Sequence, residues 1–245
     1  MKVLSIGNSF AWDSHTFLHE LAAKNGVDLE TVNLYIGGCS LERHWETVVQ
    51  GEKAHLFCRN GEAPNDSLPF VSIVEGLQSD RYDAVTFQQA CCFAPIPQNF
   101  FPYLPSLIDL VREYQPQAKL YFHQTWAYEI DSDHEGFAIY GRSQEEMHRR
   151  VHDAARVGAE LTGNLIPTGD VIQALRNTVP AFDYKNGGLS LCRDGYHLSE
   201  DYGRYVAAAT WLYALTGVLP KDQPFGDMDP ALLQAIHQTI KTVVE

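Results

Sequence analysis

Two short segments at opposite ends of the chain carry side chains suited to acyl transfer. The first is Ile6-Gly7-Asn8-Ser9-Phe10, which follows the apolar run Val3–Ile6. A serine at a strand-to-helix turn is lifted to the edge where ligands bind, with its own N–H near a helix N-terminus. Gly7 is expected to let the chain turn sharply there. The second segment is Arg193-Asp194-Gly195-Tyr196-His197-Leu198-Ser199, just ahead of a helical stretch. A serine hydroxyl is a poor nucleophile until an imidazole accepts its proton. That imidazole needs a carboxylate on its other nitrogen, to fix the tautomer and stabilise the imidazolium. An Asp three residues before a His, with Gly195 making the bend, supplies both groups from one loop. Taken singly, each segment has a plainer reading. Ser9 or Ser14 caps a helix while Asn8 fills a turn, and Asp194-Gly195 is a surface turn before a Ser199 cap. No glycine stands two residues after Ser9, so this is not the Gly-x-Ser-x-Gly elbow of the α/β-hydrolases.

Other residues invite competing chemistry. His15/His19 and His148/His152 are spaced i, i+4 on expected helices, but neither pair has the HExxH pattern or a third ligand nearby. They read as solvated or half-buried helix residues, and no metal is expected. Cys39 has no histidine paired with it by any motif and reads as a small packing residue. His123, Trp126 and Tyr128 follow an expected strand and should face the ligand edge; with Phe93, Phe137 and Tyr140 they either line a substrate cleft or anchor long loops. Arg43 and His44, at a helix start, either meet an anionic substrate or lie on an exposed face.

These residues need a frame to bring them together, and the hydropathy pattern implies one. Short apolar runs at Val3–Ile6, Leu29–Ile36, Ala84–Phe87, Lys119–His123 and Asn164–Pro167 read as five strands. Helical periodicity occupies Ser14–Lys24, Ser40–Val49, Tyr103–Tyr114, Gln144–Leu161, Glu200–Leu215 and Pro230–Val244. Alternating strands and helices imply an α/β fold, a three-layer α/β/α sandwich around a flavodoxin-like, doubly wound sheet of about five parallel strands. Ligands bind at the C-terminal edge of such a sheet. Three long stretches, Gln50–Pro69, Ala90–Pro102 and Thr125–Arg142, read as irregular, and loops of that length are commonly functional. No repeat or linker divides residues 1–245, so one domain is expected.

Composition narrows the partners. The 31 acidic residues outnumber 18 Lys plus Arg, for a formal net charge of −13. That balance opposes a phosphate backbone or an anionic membrane surface, so neither nucleic acid nor membrane is an expected partner. The five cysteines form an odd set without framework spacing, and Met1-Lys2 leads directly into a short apolar run. Both features point to free thiols in the cytoplasm, the alternative being a secreted chain whose signal has been removed. The sequence says nothing of oligomeric state.

Taken together, the two end segments resemble those of the SGNH (GDSL-like) hydrolases. Gly7-Asn8-Ser9-Phe10 is similar to that family's Gly-Asp-Ser-Leu block, and Asp194-Gly195-Tyr196-His197 to its Asp-x-x-His block. The resemblance spans nearly the whole chain, through short motifs. It implies Ser9 as nucleophile, His197 as general base then acid, and Asp194 as its orienting carboxylate, with no cofactor. It also implies three oxyanion donors: the Ser9 N–H, a glycine N–H after the second strand, and an Asn side chain after the third. Gly38, in Gly37-Gly38-Cys39-Ser40, matches the second. For the third, the family's Gly-x-Asn-Asp is replaced by Phe87-Gln88-Gln89-Ala90; Gln89 is the expected donor, Gln88 if the register shifts by one. The expected activity is hydrolysis of an acyl or methyl ester, on a small molecule or a carbohydrate. His123, Trp126, Tyr128 and His44 are its candidate substrate contacts. The Gln-Gln departure is the best support for an alternative, an inactive ligand-binding relative, against which the retention of Ser9, Asp194 and His197 together counts. A flavodoxin-like nucleotide binder would need a longer phosphate-cradling loop than Gly7-Asn8-Ser9.

Overall fold

A computed structural model describes all of residues 1–245. The expected strands form as β1 (Lys2–Gly7), β2 (Glu30–Tyr35), β5 (Ala84–Phe87), β6 (Lys119–His123) and β7 (Leu165–Ile166). All five run parallel, in the order β2-β1-β5-β6-β7. The sheet is larger than the hydropathy pattern implied. β3 (His55–Arg59) pairs antiparallel with β2, and β4 (Phe70–Val71) pairs antiparallel with β3, giving seven strands in a mixed sheet. Gln50–Pro69, read as irregular, thus carries at His55–Arg59 the strand that extends one edge.

Alternation along the strands divides the core between two faces. Leu4 and Ile6 of β1 join Leu34, Phe87 and Phe122 under α3 (Leu41–Gln50), α4 (Ile73–Gln78), α5 (Tyr103–Tyr114) and α6 (Gln144–Thr162). Val3 faces the other way. It packs with α1 (Ser9–His15), α2 (Leu18–Lys24), α7 (Thr168–Thr178), α8 (Tyr202–Thr216) and α9 (Pro230–Val244). The single helix expected over Ser14–Lys24 is thus two: α1 begins immediately after β1, and α2 carries Leu18, Leu21 and Ala22 into the core. The helices α4 and α7 were not expected. Alpha-helical α4 starts with a reciprocal capping box between Ser72 and Glu75.

The winding of the chain reverses between β1 and β5. β2 lies on one side of β1, and the later parallel strands follow β5 on the other. At such a switch point the connections leave in opposite directions and open a crevice at the strand ends. Ser9 follows β1, Gln88-Gln89 follow β5, and Gly38 follows β2.

Candidate active site

Asn8, rather than Ser9 or Ser14, caps α1. Its side-chain oxygen accepts from the Phe10 N–H at 3.0 Å. The capping contact leaves the Ser9 hydroxyl free, one residue into the helix, where its own N–H has no intrahelical acceptor. Asn8 also ties neighbouring elements together. Its amide donates to the Cys39 carbonyl at 3.0 Å, its oxygen accepts from Gln88 at 2.5 Å, and its carbonyl accepts from Asn33 at 3.2 Å. The residue before it serves close approach rather than a turn: a Cβ on Gly7 would lie 2.7 Å from the Ala11 Cβ and 2.8 Å from the Asn33 Oδ1.

The loop between α7 and α8 delivers the other two groups. His197 Nε2 lies 2.9 Å from Ser9 Oγ, and His197 Nδ1 lies 2.7 Å from Asp194 Oδ2. The tautomer with its proton on Nδ1 donates to Asp194 and leaves Nε2 to accept the Ser9 proton. Asp194 Oδ1 accepts from the backbone N–H of His197 at 2.7 Å and of Tyr196 at 3.2 Å. Partial burial pushes the Asp194 carboxyl up, but the hydrogen bonds from the His197 side chain and backbone outweigh it. The carboxyl is held below its ordinary value of 3.8. Three residues separated by up to 188 positions are thereby brought into one hydrogen-bonded line.

Asp13, one helical turn after Ser9, was not anticipated. It is fully buried and receives Arg204 Nε at 2.9 Å, Arg193 Nη1 at 3.0 Å and the Leu198 N–H at 2.9 Å. Arg193 also donates to the Leu198 carbonyl. The residues on either side of the Asp194–His197 segment are thus bolted to the helix that carries Ser9. The readable sequence signal was an acid at i+4 from the serine, on the same helical face.

The remaining candidates divide. Gly38 lies in an exposed turn with φ +63°, a conformation that glycine adopts without a Cβ clash. The Asn8–Cys39 hydrogen bond fixes this turn against the residue preceding Ser9. Gln89 is 1% exposed; its oxygen accepts from the Leu41 and Ala90 N–H groups and its amide donates to the Asn99 carbonyl. It acts as a strut under the start of α3. Gln88 is buried too, between Asn8 and His123.

The four expected substrate contacts are all buried. His123 is enclosed by Trp126 and Trp211 and bonded to Gln88, and burial pushes it down to about 3. His44 pairs with His55 at 3.0 Å inside the protein, and burial drives it well below its ordinary value. Trp126 stacks on Phe10 at 4.2 Å and donates to the Tyr196 carbonyl at 2.7 Å. It supports the histidine-bearing loop from within instead of meeting ligand. Tyr128 packs against His134, Phe137 and Tyr196, with its hydroxyl on Cys91 Sγ. Phe137 and Tyr140 are likewise buried, and only Phe93 of that aromatic group is exposed. Cys39 is 3% exposed, and burial pushes its thiol up to about 12, far from a thiolate nucleophile.

The histidine pairs lead elsewhere. His15 bonds Ser5 while His19 meets the Leu29 carbonyl; His148 and His152 both turn toward Asp170. No helix is long and apolar enough to cross a membrane.

A Bacteroides uniformis protein of the DUF4886 family superposes with a TM-score of 0.89 at 32% identity, over 100% of this chain and 94% of that one. A Slackia heliotrinireducens protein provisionally described as an SGNH hydrolase gives 0.58 at 18% identity, over 88% and 98%. The acetylxylan esterase Axe2 from Geobacillus stearothermophilus gives 0.54 at 14% identity, over 91% and 97%. No curated protein matches. The fold is that of the SGNH hydrolases, and, since residues 2–231 match DUF4886, a domain of unknown function, the chain belongs to that family.

Proposed function

We propose that the protein is a serine esterase, in which Ser9 attacks an ester carbonyl, His197 takes its proton and Asp194 orients the imidazole. The observation that carries this reading is the unbroken line Ser9 Oγ–His197 Nε2 and His197 Nδ1–Asp194 Oδ2, at 2.9 and 2.7 Å. In the first half-reaction the Ser9 oxygen bonds the carbonyl carbon. The proton held by His197 then passes to the leaving alcohol, and an acyl-Ser9 ester remains. In the second, His197 takes a proton from water, whose oxygen attacks that ester, and then returns the proton to the departing Ser9 oxygen, releasing the acid and restoring the hydroxyl. The developing oxyanion is met by the N–H groups of Ser9 and Gly38, each donor typically worth about 3–4 kcal/mol. Gln89 contributes by holding the start of α3, next to the Gly38 turn, rather than by donating to the oxyanion.

The substrate reading is an ester of a carbohydrate. A cavity of about 240 Å³ adjoins the Gly38 turn, where Phe93, Phe101 and Tyr103 stand beside Ser40, Gln98 and Asn99. Rings with neighbouring amides and hydroxyls suit the apolar faces and the hydroxyls of a sugar. Turnover of an activated acetate ester and of acetylated xylo-oligosaccharides, the latter suggested by the name of the Geobacillus neighbour, tests both levels. Acetate release lost in Ser9→Ala is the expected result. Wild-type turnover of the activated ester alone would retain the esterase and discard the carbohydrate; turnover of neither would remove both.

A further inference from the structure

A single file of hydrogen bonds crosses the C-terminal ends of four adjacent strands. His123 closes β6, Gln88 follows β5, Asn8 follows β1, and Cys39 lies in the turn after β2. Neighbours meet in that order: His123 Nδ1 lies 3.1 Å from Gln88 Oε1, Gln88 Nε2 lies 2.5 Å from Asn8 Oδ1, and Asn8 Nδ2 lies 3.0 Å from the Cys39 carbonyl. All four residues are at most 3% exposed.

Backbone groups fix the polarity of this file. A side-chain amide can be turned round and an imidazole can change tautomer, but a backbone N–H only donates and a carbonyl only accepts. The Asn8 oxygen accepts from the Phe10 N–H, so its NH2 faces the Cys39 carbonyl. That oxygen then requires the NH2 of Gln88, which turns the Gln88 oxygen to His123, and the proton of His123 must sit on Nδ1. Burial pushes His123 down to about 3, so the ring is neutral at ordinary pH. Every link donates toward Cys39, and bonds aligned in this way strengthen one another.

The file ends beside both backbone donors offered to the oxyanion. Asn8 precedes Ser9 and holds the N–H that follows it. Cys39 follows Gly38, in a turn closed by the Cys39 N–H on the Ile36 carbonyl at 3.3 Å. A glycine has no side chain of its own to hold such a turn, and the Asn8 amide ties it to the Ser9 helix. An apolar pair at positions 88 and 123 would close the same space at little cost in stability. The buried polar file therefore points to orientation as its purpose.

We propose that Gln88 and His123 are positioning residues for the ester reaction: neither meets substrate, and together they orient Asn8 so that the Gly38 N–H is held to the oxyanion beside that of Ser9. The role rests on the esterase reading. It gives Gln88 a share in the oxyanion site that is exerted through Asn8 rather than by donation.

Steady-state kinetics on para-nitrophenyl acetate test it, together with inhibition by phenylboronic acid, which forms a tetrahedral adduct on a serine oxygen. Gln88→Met cuts the file at its centre. A slight misplacement of a reacting group costs on the order of 10²-fold in rate. kcat should fall by about that factor with KM nearly unchanged, and boronate affinity should fall in proportion. A pair of variants at position 123 tests the same file should Gln88→Met fail to fold. His123→Asn sets an amide NH2 where the ring Nδ1 stood, whereas His123→Leu is apolar and donates nothing. The asparagine variant should keep kcat within a few-fold and the leucine variant should lose it by the same factor as Gln88→Met; packing alone predicts the opposite order. An unchanged kcat in folded Gln88→Met, a loss confined to KM, or a leucine variant at least as active as the asparagine one would overturn the positioning role and leave the esterase reading in place. A wild-type chain that does not turn over the ester would remove the esterase reading, and this role with it.

Discussion

Ser9 is available for chemistry because its neighbour does the capping: Asn8 accepts the Phe10 N–H, and the serine hydroxyl turns to His197 instead. Groups that act as one unit lose their contribution together. Ser9→Ala and His197→Ala should each lower kcat by on the order of 10⁴–10⁶-fold, and the double variant should be scarcely worse than either. Steady-state kinetics on an activated acetate ester checks this; additive losses would contradict a shared step. The hydrogen-bonded line itself was legible because its blocks are local: three residues fix Asp194 against His197, and β1 delivers Ser9. The substrate contacts were not legible. A position just past a strand says nothing about which way a side chain turns. His123 and Trp126 turned inward to pack around Trp211 and Phe10, and His44 turned to His55. The partners of Gln89 were hidden for a related reason: its place after β5 was readable, but the demand of the Leu41 N–H for an acceptor was not.

At the scale of elements, α1 is the joint of the site. Ser9 and Asp13 stand one turn apart, so the same helix presents the proposed nucleophile and grips the loop that bears His197. Asp13→Ala would strand Arg204 and leave the Leu198 N–H without an acceptor. Breaking a buried ion pair on one side costs about 3–5 kcal/mol, which in a chain of this size lowers the melting temperature by on the order of 10 °C. Calorimetry should show that fall, and kcat should drop with it although Asp13 touches no reacting atom. An unchanged kcat in the folded variant would show that the loop is held by other means. The five parallel strands were readable from apolar runs, and Pro230–Val244 formed as expected. β3 escaped because its run, His55–Arg59, shows no alternation to distinguish it from a loop touching the core. Two-residue β4 is too short to carry any periodicity. α7 opens on Thr168-Gly169, residues that ordinarily mark a turn, and its apolar stripe is only Val171, Ile172 and Leu175.

For the molecule as a whole, four of the five buried histidines dominate acid stability. Burial pushes His15 and His123 down to about 3, His55 to about 4, and His44 well below its usual value. Each would take up a proton near 6.5 once unfolded. The unfolded chain therefore binds more protons as the pH falls below that value, and stability is lost progressively toward the folded values. The loss is on the order of 2 kcal/mol for each of the deeply buried rings between about pH 6.5 and 4.5. Melting temperature against pH should decline steadily across that window, and a flat profile would contradict neutral, buried rings. The reversal of winding between β1 and β5 sets Ser9 at the crevice where such sheets bind ligands, and the distant Asp194–His197 loop closes on it from the other end of the chain. Whether that convergence makes a nucleophile is tested most directly by intact-mass measurement after exposure to a fluorophosphonate. The account predicts a single adduct on Ser9, absent in Ser9→Ala and strongly slowed in His197→Ala. No adduct on the folded wild-type chain, or one that survives Ser9→Ala, would contradict it.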